Sequence, residues 1–148
     1  MSKQFILSGD TTSMSDSLGT KEQPWLLKTA NGGSEYTMYR DETANPSALV
    51  CQVGKTELRY DLRCLDDLHA MLKAHGDWMD LGGTDEQKLA PAGTIEAWAR
   101  AEDNPVGGWY GLKKGLRGRF GVYVPPLMEV LGLVELEHKP KNTRMRAI

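Results

Sequence analysis

Residues 48–76 read ALVCQVGKTELRYDLRCLDDLHAMLKAHG, and within this stretch the spacing of the apolar residues changes. Ala48–Val53 is a short apolar run, and Thr56–Leu62 alternates polar and apolar residues after the tight connection Gly54-Lys55. These features are typical of two strands joined as a hairpin. From Cys64 onward the leucines recur three to four positions apart, which is the spacing of one helix face. A hairpin followed by a helix predicts an α+β protein with a small antiparallel β-sheet.

The predicted helix runs from Cys64 to His75, and both of its ends carry suitable residues. Asp66 and Asp67 stand in the first turn, where negative charge interacts favourably with the helix dipole. Lys73 stands in the last turn, and Gly76 can adopt the left-handed conformation that commonly ends a helix. The pattern therefore predicts one helix packed against the sheet.

Two more strands are predicted before the hairpin, at Trp25–Thr29 and at Ser34–Arg40. The second alternates polar and apolar residues, and a turn at Asn31-Gly32-Gly33 separates it from the first. The start of the chain is rich in Ser, Thr, Gly and Asp, a composition typical of flexible tails. These patterns divide the chain into a flexible tail at 1–19, a sheet and helix at 20–80, a linker at 81–93 and a C-terminal subdomain at 94–148.

The C-terminal subdomain contains LMEVLGLVE at residues 127–135, followed by a basic turn, Lys139-Pro140-Lys141-Asn142. The apolar spacing predicts a short helix that ends at Gly132. Pro125 and Pro126 are expected in its first turn, where a missing N–H leaves no helical hydrogen bond unmade. The residues after Gly132 are predicted to form a hairpin whose returning strand is rich in arginine.

This helix, glycine and basic hairpin resemble the end of many bacterial winged-helix domains, in which a helix runs through an LxxLGLVE junction into a two-stranded wing. The whole chain also resembles an uncharacterised family of small bacterial proteins, some labelled as related to RecG-type DNA helicases. The resemblance implies a winged-helix-like subdomain at 94–148 and DNA as a partner. The chain lacks the GxxxxGK[ST] loop that cradles ATP phosphates, so helicase activity is excluded.

The uneven charge distribution along the chain also favours a polyanionic binding partner. Residues 109–148 carry eight Lys and Arg against three Glu, whereas residues 1–108 carry ten Lys and Arg against seventeen Asp and Glu. In the segment 111–121 cations alternate with glycines and are bracketed by Trp109, Tyr110, Phe120 and Tyr123, a combination suited to phosphates and bases. The candidate nucleic-acid-binding residues are Lys113, Lys114, Arg117, Arg119, Lys139, Lys141, Arg144 and Arg146. In the alternative interpretation these cations are solvated or neutralise the acidic front of the chain.

The expected function is therefore nucleic-acid binding, or DNA-linked regulation, acting mainly through phosphate contacts. The mostly apolar helix after Pro125 is a poor reader of base edges, because recognition helices present polar and basic side chains. The alternative is a protein–protein interaction module in which the winged helix is only a scaffold. The candidate partners are duplex DNA and another protein, with no membrane.

No catalytic motif, metal motif or cofactor-binding loop is predicted. Asp66 and His69 lie one helical turn apart, but the sequence offers no third ligand at a fitting spacing. Cys51 and Cys64 are expected to be reduced and buried, and a nucleophilic role would require a neighbouring histidine base. The longest apolar run near the start, Phe5 to Leu7, is too short for a signal-peptide core, so a cytoplasmic location is expected.

Overall fold

The chain folds into two antiparallel sheets and three helices in a computed structural model that describes residues 18–85, 87–110 and 119–148. This confirms the predicted α+β class. The strands are β1 (Trp25–Lys28), β2 (Glu35–Asp41), β3 (Ala48–Val53), β4 (Thr56–Asp61), β5 (Met79–Asp80), β6 (Val134–Leu136) and β7 (Arg144–Ala147). The helices are α1 (Cys64–His75), α2 (Ile95–Trp98) and α3 (Phe120–Val130). The predicted flexible tail falls mostly on residues 1–17, which lie outside the described residues.

The first sheet contains four strands in the order β1-β2-β3-β4, each antiparallel to its neighbour. The β3–β4 hairpin was predicted, and its register places Cys51 opposite Leu58. Leu58 and Tyr60 are buried on one face of β4, while Arg59 between them is only partly buried. The two-residue period of the sequence therefore directs one face of this strand into the core.

Helix α1 has the predicted limits, and Gly76 ends it with a φ of 74° while its N–H donates to the carbonyl of Leu72. Its leucine stripe is buried against the rest of the molecule. Asp67 from its first turn accepts a 2.8 Å hydrogen bond from the Tyr110 hydroxyl. This bond links α1 to the chain that follows α2.

The second sheet has the order β5-β7-β6, so the C-terminal hairpin pairs with a strand that lies just after α1. The predicted succession of helix, Gly132 and hairpin is confirmed. The position predicted for the two prolines is wrong, because α3 begins at Phe120 and both lie inside it. Their missing N–H groups leave two helical hydrogen bonds unmade. The burial of most of α3 offsets this cost.

One cluster of buried side chains extends from Trp25 in β1 to Met145 in β7 and so belongs to both sheets. The Tyr36 hydroxyl in β2 donates to the carbonyl of Tyr123 in α3 at 2.7 Å, and the two rings meet edge to face. This contact fixes the start of α3 beside the turn between β1 and β2. The predicted division at the linker 81–93 stays a prediction.

Candidate functional site

A cavity of about 530 Å³ opens where five segments of the chain meet. These segments are the β1–β2 turn, residues 80–83, residues 91–94, the start of α3 and the β6–β7 turn. The cavity falls within the size range typical of small-molecule sites. Two of the predicted nucleic-acid-binding residues, Arg119 and Lys141, come from different segments and both line it.

Arg119 and Lys141 are exposed, and neither has a carboxylate within ion-pair distance among the described residues. Within the described chain, the lining contains one carboxylate, that of Asp80. The Asp80 charge interacts with Arg144 and contributes to raising the pKa of that guanidinium, after the larger effect of Glu137. The cavity therefore presents two cations against one carboxylate, and neither cation forms an ion pair within the described residues.

The backbone of the cavity is held in an uncommon conformation at two positions. Arg119, with a φ of 64°, and Asn142, with a φ of 56°, are the non-glycine residues of the described chain with positive φ, and both line the cavity. The left-handed conformation costs an arginine about 1–2 kcal/mol. Arg119 is held in it by a 2.9 Å hydrogen bond from its N–H to the carbonyl of Thr84. Strained residues of this kind are concentrated at functional sites in proteins.

Three glycines form a wall of the cavity that leaves no room for side chains. A Cβ atom on Gly83 would lie 2.4 Å from a methyl carbon of Val122. A Cβ on Gly121 would lie 2.6 Å from the carbonyl oxygen of Leu81, and one on Gly82 would meet Thr94 at 2.4 Å. The residues 81–83 therefore pack directly on the first turn of α3, and this contact sets the position of Arg119.

A buried carboxylate lies behind this wall. Glu96 in α2 is fully buried, and its Oε1 accepts hydrogen bonds from the N–H of Gly121 at 2.9 Å and of Thr84 at 3.4 Å. Its Oε2 accepts from Nε of Arg100 at 3.1 Å. Burial raises the pKa of Glu96 despite these donors. Glu96 thus supplies a negative charge at the N-terminus of α3, where the helix dipole favours one.

Arg100 completes the support of this region. Its guanidinium donates to the carbonyls of Thr84, Asp85 and Lys88 at 2.7–2.9 Å and lies 4.5 Å from the centre of the Trp109 ring. This network was not predicted from the sequence. Its signals were the i, i+4 spacing of Glu96 and Arg100 and the helix-capping Thr94.

The cations of the hairpin are arranged differently from those of the cavity. Arg144 and Lys139 both pair with Glu137, at 2.9 Å and 3.2 Å, and Arg146 pairs with Glu135 at 2.6 Å. The hydrogen bonds from Arg144 and Lys139 lower the pKa of Glu137 to about 2. The guanidiniums of Arg144 and Arg146 also lie over the ring of Trp78. Two glutamates of the hairpin itself therefore pair with these three cations.

The remaining sequence candidates are placed as follows. Lys113, Lys114 and Arg117 lie outside the described residues. Cys51 and Cys64 are buried free thiols, and burial raises the pKa of both. No three metal-ligating side chains come together within residues 18–85, 87–110 and 119–148. None of the helices in those ranges is long and apolar enough to cross a bilayer.

The comparison with known proteins identifies a family but no activity. The model of a family described as "Family of unknown function (DUF6855)" matches residues 17–148, a range that includes every described residue. The predicted resemblance to an uncharacterised family is thereby confirmed. No curated protein and no solved structure matches the chain.

Proposed function

Because the chain belongs to this family of unknown function, we propose its role from the site itself: it binds nucleic acid through phosphate groups at the Arg119–Lys141 cavity. The observation that carries the proposal is the convergence of two exposed, unneutralised cations on one cavity. Cations of this kind bind phosphates and release the counterions condensed on the nucleic acid.

We also propose that the part of the chain from α1 to β7 is winged-helix-like, and the order of its elements supports this. Helix α1, strand β5, helices α2 and α3 and the β6–β7 hairpin follow one another in the order typical of winged-helix domains, with β5 beside β7. Most of α3 is nevertheless buried, so this helix has little surface to offer to base edges. The proposal therefore assigns affinity to phosphate contacts, which position a protein without reading sequence.

Salt-dependent binding tests the proposal. We expect the protein to bind fluorescently labelled single-stranded or duplex DNA at 50 mM NaCl, with an affinity that falls steeply up to 200 mM. The double variant Arg119→Gly/Lys141→Ala should bind more weakly. The slope of the logarithm of its binding constant against the logarithm of the NaCl concentration should be smaller in magnitude by about 2. The matched control Lys55→Ala/Lys73→Ala removes two exposed lysines that do not line the cavity and should bind as the parent does. Absence of binding at low salt, or equal losses in both double variants, would contradict the proposal.

A protein–protein interaction is the second candidate, and a different surface favours it. Leu26 in the edge strand β1 is 81% exposed and Val130 in α3 is 58% exposed. Both line a second cavity, of about 310 Å³, between β1 and α3. An edge strand beside an apolar groove is a surface to which a partner strand can add. If the chain is a protein–protein interaction module, Leu26→Lys should abolish its complex with a partner protein, as measured by cross-linking and sedimentation. The same variant should leave DNA binding unchanged.

A further inference from the structure

We propose that the Arg119–Lys141 cavity selects a terminal phosphate monoester, carried by a nucleic-acid strand end or by a free nucleotide, over the internal phosphodiesters of a strand. This inference rests on the proposed function and narrows the ligand of the same site. Three properties of the cavity carry it: its charge, its recessed shape and the source of its hydrogen-bond donors.

The charge of the lining matches a monoester better than a diester. A phosphate monoester carries a charge of about −1.5 to −2 at pH 7 because its second pKa is about 6. An internal phosphodiester carries a single negative charge. Arg119 offers a planar fork of N–H donors and Lys141 a compact point charge, a pair that suits a doubly charged group. Asp80 is the one carboxylate of the lining among the described residues, so the two cations outnumber it.

The shape of the cavity favours the end of a chain. The two cations line an open hollow formed by five segments rather than a flat or convex face. A duplex is a continuous convex rod, so its internal phosphates can meet only the rim of such a hollow. A strand end or a single nucleotide can enter it, because the volume of about 530 Å³ is sufficient for a ligand of that size.

One backbone donor at the start of α3 is already used by the protein itself. The N–H of Gly121, in the first turn of α3, is already bound to Glu96, so this group is not offered to a ligand. The oxygen of the Asn31 carboxamide accepts from the Thr29 hydroxyl and the Gly33 N–H, which leaves its NH₂ group as a donor at the cavity. Binding should therefore depend on the side chains of Arg119 and Lys141. The dipole of α3 should not maintain binding when these two side chains are removed.

The test compares ligands that differ only in the terminal phosphate. A twelve-nucleotide single strand with a 5′-phosphate is compared with the same strand ending in a 5′-hydroxyl, and AMP is compared with adenosine, by calorimetry at 100 mM NaCl. We expect the phosphorylated ligand of each pair to bind about tenfold tighter or better, as charge-assisted hydrogen bonds predict. Arg119→Gly and Lys141→Ala should each remove this preference, and Lys55→Ala should retain it. Arg119→Gly is suited to the test because glycine adopts the positive φ at this position without strain.

The outcomes separate this inference from the proposed function. Equal, salt-dependent binding of both strands, weakened to the same extent by Arg119→Gly, overturns the terminal-phosphate inference and leaves nucleic-acid binding at the cavity in place. Binding of AMP that requires Arg119, without binding of either strand, supports the inference with a free nucleotide as the source and rejects nucleic-acid binding. If neither AMP nor the phosphorylated strand binds, both are rejected.

Discussion

The buried carboxylate of Glu96 accepts a 2.9 Å hydrogen bond from the backbone N–H of Gly121, the second residue of α3. This contact places a charge of the protein itself at the N-terminus of α3, a position that often binds an external anion. The neighbouring cavity is therefore left with Arg119 and Lys141 as its attraction for a ligand. The same contact fixes the first turn of α3, and with it the position of Arg119.

Removal of the Glu96 carboxylate should destabilise the fold strongly. Glu96→Ala leaves the Gly121 N–H and the Nε–H of Arg100 without their acceptor, and it removes the counter-charge of an arginine side chain that is 12% exposed. Breaking a buried pair in this way costs about 3–5 kcal/mol. Urea denaturation measures the free energy of unfolding. Glu96→Gln keeps an oxygen that can accept from the Gly121 N–H, so it should lower the free energy of unfolding by less than Glu96→Ala. A decrease of less than about 1 kcal/mol for the alanine variant would contradict the structural role of Glu96.

Arg119→Gly should separate stability from binding. The parent arginine is held at a φ of 64°, so glycine relieves strain, although it also adds conformational freedom to the unfolded chain. We expect the free energy of unfolding to be unchanged or raised by up to about 1 kcal/mol, while phosphate binding is lost. Thermal unfolding and calorimetry on the same sample measure the two effects. A variant that is both less stable and unable to bind would assign Arg119 a structural role instead.

His138 should make stability depend on pH. Its Nδ1 lies 2.8 Å from the carbonyl oxygen of Ala30 and its Nε2 lies 2.7 Å from a carboxylate oxygen of Glu129. Both partners accept, so the two bonds together need the doubly protonated ring. The pKa of His138 is raised above 6.5, first by Glu129 and then by the Ala30 carbonyl. The stabilisation is complete below pH 6.5 and is lost as the pH rises through the higher pKa of the folded state.

Two measurements check this pH dependence. An NMR titration should place the pKa of His138 above 6.5, and thermal unfolding should show a decline in stability above pH 6.5 that His138→Gln abolishes. The test fails if the parent and the glutamine variant show the same decline.

The paired arginines of the hairpin should contribute less to binding than Arg119. Arg144 is held by Glu137 and Trp78, and Arg146 by Glu135 and Trp78. Binding a phosphate would require these contacts to be exchanged for new ones. We expect Arg144→Ala to lower the thermal stability of the hairpin and to change DNA affinity by less than about twofold, within 0.5 kcal/mol. An affinity loss as large as that of Arg119→Gly would show that the hairpin pairs open on binding.

Local patterns predicted the elements well where one periodicity continued over several residues. The helix Cys64–His75 and the strand Ala48–Val53 have the predicted limits, because an apolar pattern and a glycine directly after each element specify them locally. The start of α3 was predicted too late. The prolines at 125 and 126 suggest a first turn by local rules, whereas burial against the first sheet extends the helix in front of them.

The sequence by itself determined the α+β class, the order of the elements and the excess of cations after residue 108, because these depend on neighbouring residues and on composition. Only the tertiary structure decided which cations are neutralised and which are free. Arg144 and Arg146 pair with glutamates of the same hairpin. Arg119 and Lys141 line one cavity although they stand 22 positions apart in the sequence. Ion pairing depends on distances of a few ångströms between side chains, and such distances are set when remote segments pack together.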